Sequence, residues 1–217
     1  MKKILSLLII SILILSGCTT RVAGSTLKDT IQEIFEPETT ESMNVNNEYS
    51  DSKLIVVDDC DLSGSREANV KVDVGYEDRE YYAYTNEYGQ LVYVQANEMK
   101  LQDDDNEKVN SDGRYCNDEA KVPGVESSAL DEGHAIADSL GGVSNAYNIT
   151  PQNSTVNRSG EQAEFEEYIR NTENNGQQIT DFEYSIIYPN SDTQVPSEYQ
   201  VDFKVDGVTK SFTFDNQ

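Results

Sequence analysis

The 217-residue chain is poor in the residues that usually hold metals or grip polyanions. It has one histidine, His134, and three cysteines, scattered so that no Cys/His cluster has zinc-site spacing. That excludes a structural zinc module. Sixteen Lys and Arg face 40 Asp and Glu, a formal net charge of −24. A surface of that sign repels DNA, RNA and anionic lipid at long range, so charge alone argues against a protein that holds nucleic acid on a basic face. The apolar run Ile4 to Leu15 is too short for a spanning helix, which takes roughly 20 residues. Asp103-Asp104-Asp105 lacks the spacing and closing glutamate of a calcium loop and reads as solvated surface. No internal repeat is visible.

What is present begins with Lys2 and Lys3 ahead of that apolar run, followed by Ser16, Gly17 and Cys18. Residues 1–17 read as a secretory signal peptide. Leu15-Ser16-Gly17-Cys18 resembles a bacterial lipobox, which implies cleavage before Cys18, lipidation of that cysteine and a place on the extracellular face of a bacterial membrane. An uncleaved anchor or a plain secreted product is the alternative. Residues 18–53 are rich in Thr, Ser, Glu and Asn and read as a flexible tether. Leu27, Ile31, Ile34 and Phe35 mark one short helical stripe that Pro37 stops. Cys60 and Cys116 are then an even pair in an oxidising compartment. One disulfide is allowed, adding roughly 3–4 kcal/mol in the chain-entropy model; two separate buried thiols are the alternative.

Residues 54–217 carry the pattern of one domain. Leu54 to Val57 is a short apolar run, and Val70, Val72 and Val74 alternate with polar residues. Tyr81 to Thr85 and Leu91 to Ala96 flank a turn at Asn86 and Gly89, so a hairpin is expected. "FEYSIIY", "EYQVDFKV" and "KSFTFD" read as three further strands, with Asp206-Gly207 as the turn between the last two. Residues 102–130 lack periodicity and read as a long loop. "SGEQAEFEEYIRN" reads as a helix in which Ser159 and Gln162 form a capping box and Phe165, Tyr168 and Ile169 face inward. The fold class is α+β with a mostly antiparallel sheet.

The chemistry gathers around "DEGHAIADSLGG" and the amide-rich "YNITPQNSTVNRSG" that follows. Gly133 permits close backbone approach beside His134, and the Gly141-Gly142 turn brings the second segment back over the first. Amide oxygens are hard neutral ligands that suit a mostly hydrated Mg²⁺. Imidazole and hydrated magnesium together make a hydrolytic site.

The ordered combination of Gly133-His134, Asn148-Ile149-Thr150-Pro151-Gln152, Asn157 and a helical glutamate resembles the DNA/RNA non-specific endonucleases, a family with a ββα-metal core. The resemblance implies hydrolysis of DNA, and of RNA as well, to fragments with 5′-phosphates. Mg²⁺ (or Mn²⁺) is the implied cofactor, and a monomer is expected. It makes His134 the general base and Asn157 the direct metal ligand. Gln152 would position the turn or a metal-bound water on the substrate side. Asp131 would fix the geometry around His134, a purely structural hydrogen bond being the alternative. Glu166, following the apolar Phe165, would orient metal waters; Glu164, seven residues after Asn157 and on the same face of an unbroken helix, competes for that role.

Two departures from the family pattern stand out. Glu132 occupies the position where the motif most often has arginine. The upstream arginine that meets the scissile phosphate has no secure match: Arg114 is the leading candidate, with Lys121 and Arg158 as others. Residues 131–175 contain two basic and eight acidic residues, so weak substrate binding that depends on a divalent ion is expected. The rival readings are a degenerate nuclease fold serving as a surface binding module, and a solute-binding or immunity-type lipoprotein.

Overall fold

Alternation of apolar and polar residues builds a sheet wherever it occurs in the chain. The computed structural model describes Tyr49 and residues 51–217. The signal peptide, Cys18, the stripe from Leu27 to Phe35 and most of the tether lie outside the described residues. In chain order the strands are β1 (Lys53–Ile55), β2 (Val70–Asp73), β3 (Tyr81–Thr85), β4 (Leu91–Glu98), β5 (Leu130–His134), β6 (Ile149–Asn153), β7 (Ile179–Ile187), β8 (Glu198–Val205) and β9 (Val208–Asp215). Helices α1 (Ser154–Ser159) and α2 (Glu161–Asn174) lie between β6 and β7.

Seven strands form one sheet in the order β1-β2-β3-β4-β7-β8-β9. Every neighbouring pair is antiparallel except β1 with β2, which run parallel at one edge. In β8, Tyr199, Val201, Phe203 and Val205 are buried while Gln200 and Asp202 are exposed, the two-residue period of a half-covered sheet. Asp206 and Gly207 both have positive φ, 48° and 82°, as a two-residue turn between right-twisted strands requires.

Helix α2 covers one face of the sheet. Its Phe165, fully buried, lies 5.6 to 6.4 Å from the rings of Phe182, Tyr184, Phe203 and Phe212. Burying such a ring contributes about 2–3 kcal/mol, and each aromatic contact adds about 0.5–1.5. On the opposite face the ring of Tyr49 lies 5.6 Å from Tyr84 and 6.0 Å from Tyr93.

β4 and β7 are neighbours in the sheet although residues 99–178 separate them in sequence. That insertion holds the long loop, the β5–β6 hairpin and both helices, a ββα unit standing on the sheet. Cys60 and Cys116 form a disulfide with Cα atoms 5.5 Å apart, pinning the long loop to the segment after β1. The alternative of two thiols is thereby removed.

One detail differs from the sequence expectation. Ser159 caps nothing: it is the last residue of α1, and α2 starts after Gly160 with no side-chain cap. The cap belongs to Asn153, whose Oδ1 accepts from the amides of Thr155 and Val156 and starts α1. Gly160, at φ −100° and ψ −151°, breaks the helix between Asn157 and Glu166, so helical angular counting does not carry from one to the other.

Candidate active site

The β5–β6 hairpin is shaped by one glycine and one amide. β5 pairs antiparallel with β6, with Asp131 opposite Gln152 and His134 opposite Ile149. A Cβ on Gly133 would come within 2.2 to 2.4 Å of the Gln152 side chain, so the glycine ahead of the histidine makes room for the glutamine of the facing strand. Gln152 is itself fully buried. Its place inside the hairpin fits the turn-positioning half of the role expected from the sequence.

Asn148 locks the connection between the strands. Its Oδ1 accepts from the Ile136 amide at 3.0 Å, and its Nδ2 donates to the carbonyls of Ile136 and Val143 at 2.8 and 2.6 Å. The intervening turn closes at Gly141, whose φ is +85° and where a Cβ would fall 2.1 Å from the Arg79 guanidinium.

His134 ends β5 with its side chain only 12% exposed. Its Nε2 lies 3.3 Å from Ser144 Oγ and 3.7 Å from Asp138 Oδ2. Burial holds the imidazole below its usual pKa, against the pull of Asp138 and Glu119. The ring is therefore neutral, with a free lone pair, at physiological pH.

Arg114 reaches the same place from the long loop. Asn110 Oδ1 accepts from the amides of Asp112 and Arg114, and its Nδ2 holds the Cys116 carbonyl, so a side-chain-built turn beside the disulfide aims the arginine. Arg114 Nε donates to Asp138 Oδ2 at 3.3 Å, and its Nη2 pairs with Glu119.

The other end of β5 gathers a second group. Asp131 accepts from Arg158 at 2.6 and 2.7 Å, from Ser154 Oγ at 3.0 Å and from Asn157 Nδ2 at 3.5 Å. The neighbouring Arg158 is the main reason its carboxyl lies below the usual range. These bonds run to α1 and none reaches His134, which is the structural alternative among the two readings of Asp131. At about 3.3 Å per strand residue, the backbones of Asp131 and His134 are about 10 Å apart. No hydrogen bond joins His134 to Asn157 among the described residues.

Helix α2 ties the groups together. Gln162 donates to the His134 carbonyl at 3.3 Å and to Glu166 Oε1 at 2.7 Å, and accepts from Tyr184 Oη at 3.0 Å. Glu166 is mostly buried, and burial pushes its carboxyl up to about 7. Glu164 is exposed on the far side of the turn. Asp138 and Ser144 are contributors that the sequence did not single out, while Asn148 stood out only as a motif position and Gln162 only as a helix cap. Position alone offered a hint only for Asp138, four residues after the histidine.

Each cation around the site already has an acidic partner. Arg114 pairs with Glu119 and Asp138, Lys121 with Asp118 and Glu132, Arg158 with Asp131 and Arg170 with Glu166. A cavity of about 420 Å³ lined by Ile55, Val57, Arg66 and Tyr147 is separate, and none of the site residues lines it.

A ββα unit on a mostly antiparallel sheet, with a histidine ending the first strand and an asparagine on the following helix, has the architecture of the ββα-metal nucleases. The model of the DNA/RNA non-specific endonuclease family matches residues 66–207, well over half the chain, and the protein belongs to that family. Among solved structures, NucA from Streptococcus agalactiae with a magnesium ion bound is similar at 18% identity and a TM-score of 0.52, over 70% of this chain and 78% of that one. The metal-free form of that protein aligns at 19% identity over 70% and 77% of the two chains, with a TM-score of 0.47. The Sda1 nuclease with bound zinc gives 21% identity over 41% and 39%, with a TM-score of 0.36. No curated protein matches the sequence.

Proposed function

We propose that the protein is a divalent-metal-dependent endonuclease that hydrolyses DNA, and RNA as well, with little sequence preference. The observation that carries this reading is the buried, neutral His134 beside Arg114, on the strand whose other end engages Asn157. His134 takes the proton of the attacking water, as a neutral imidazole can at physiological pH. Arg114 meets the phosphate through whichever donors Asp138 and Glu119 leave open.

The donor set fits a hydrated Mg²⁺ or Mn²⁺. Among the described residues no three His, Cys, Asp or Glu side chains are grouped to hold a metal. Asn157 gives its amide hydrogen to Asp131, and among the described residues its oxygen accepts no hydrogen bond, leaving a hard neutral ligand atom. Asn157 would hold the ion directly and Glu166 would orient its waters. When bound, the ion supplies positive charge against the phosphate and the leaving 3′ oxygen. Glu166, mostly buried and bonded to Gln162, is favoured over the exposed Glu164 for this role. Backbone contacts carry recognition, since no base-reading element is present among the described residues.

The lipobox-like stretch supports anchoring at Cys18 on the extracellular face of a membrane. A Cys18→Ala protein that still incorporates labelled fatty acid would contradict that placement. For the reaction, plasmid DNA is incubated with the full chain and Mg²⁺, with and without excess chelator. Nicking that stops in chelator and yields 5′-phosphate ends is expected, and unchanged cutting would remove the metal from the account.

A further inference from the structure

The turn that follows the strand of His134 places a carboxylate beside the imidazole. Asp138 opens the short 3₁₀ turn Asp138–Leu140, its side chain is 13% exposed, and its Oδ2 lies between two groups: Arg114 Nε at 3.3 Å and His134 Nε2 at 3.7 Å. Its Oδ1 is buried with no hydrogen-bond partner among the described residues. The groups nearest that carboxylate are the Arg114 guanidinium and the Nε2 edge of the imidazole.

We propose that Asp138 is the positioning residue of this site, holding Arg114 alongside the imidazole and keeping the ring proton on Nε2, so that Nδ1 is the nitrogen that receives the proton of water. The inference rests on His134 being the base. The physical reason is the direction of the ring dipole. With the proton on Nε2, the positive end of the ring points at the carboxylate; with the proton on Nδ1, a lone pair would face it. Ser144 Oγ, 3.3 Å from the same nitrogen, accepts from Nε2–H or donates to its lone pair and so does not choose between the tautomers by itself.

The other charged groups facing the ring are Arg114 and Glu119 from the long loop, and these pair with each other. From α2, Gln162 meets the His134 carbonyl and carries Glu166 beside it. Asp138 also acts on Glu166, so a pH–rate profile would mix two titrations. The imidazole itself is the clean reporter, because the chain has only one.

The experiment is a ¹H–¹⁵N correlation on the full chain labelled at histidine, taken without substrate across pH 5 to 9 for wild type, Asp138→Asn and Ser144→Ala. Wild type is expected to show Nε2–H as the main neutral form. Asp138→Asn is expected to move toward Nδ1–H, with its titration midpoint lower by about one unit and cleavage slowed at least about ten-fold. Nδ1–H as the main form in wild type would overturn the proposal. An unchanged tautomer and midpoint in a folded Asp138→Asn protein would do the same. If that variant does not fold, Ser144→Ala decides: retained Nε2–H supports Asp138, and loss of it assigns the tautomer to Ser144 and overturns the proposal. Cleavage by His134→Ala tests the underlying reading separately, since the tautomer is read with no reaction taking place.

Discussion

The two sides of helix α2 are held together by different physics. Toward the sheet, Phe165 and Ile169 enter a dry cluster of rings from β7, β8 and β9, in which no charge is buried and shape decides the fit. Toward the hairpin, Gln162 and Glu166 join a network of amides, carboxylates and guanidinium groups in which Asp138, Glu166 and His134 are all largely withdrawn from water. The first side supplies stability through area and packing. The second holds charged groups in places that stability alone would not choose, and such places are where function concentrates.

Three substitutions sharpen that contrast. Phe165→Ala is expected to have the largest effect, removing about 3–5 kcal/mol of stability in a urea titration. Loss of less than about 1 kcal/mol would mean that the aromatic cluster is not the main anchor of α2.

Glu166→Gln acts in the opposite direction. The carboxyl titrates near 7 in the folded chain and near 4.5 when unfolded, so between those values the folded state binds more protons and stability falls as pH rises. Removing the group should stabilise the metal-free protein at pH 8 by up to roughly 3 kcal/mol, have little effect at pH 4, and lower metal-dependent cleavage. A variant less stable than wild type at pH 8 would show that Glu166 is a supporting contact rather than a strained one.

Arg158→Ala should matter least. Its guanidinium is 71% exposed and its pairing with Asp131 is screened by solvent, so both melting temperature and cleavage should stay close to wild type. A large loss of cleavage would restore Arg158 to the substrate-binding role first expected of it.

The dry side was legible in the sequence and the polar side only partly so. β3, β4, β8 and β9 follow from alternation and from the turns at Gly89 and Asp206-Gly207, because half-buried strands leave a two-residue imprint. β5, with the sequence Leu-Asp-Glu-Gly-His, leaves none, since it is held by pairing to β6 and by side-chain bonds at its ends. Ser159 and Gln162 have capping-box spacing, yet Gly160 ends α1 first and Gln162 turns inward. Asp138 is hidden among 40 acidic residues, and only its nearness to His134 and Arg114 in space sets it apart. Glu166 and Glu164 lie on one helix and differ in burial, which depends on the face of α2 that packs inward.

In the proposed reaction one neutral imidazole performs the proton abstraction. The direct measurement is the initial rate of plasmid cleavage in saturating Mg²⁺ by His134→Ala against wild type, with thermal melting of both. A rate lower by about 10²–10⁴ at a melting temperature within a few degrees of wild type is predicted. Cleavage at the wild-type rate by a folded His134→Ala protein would contradict it.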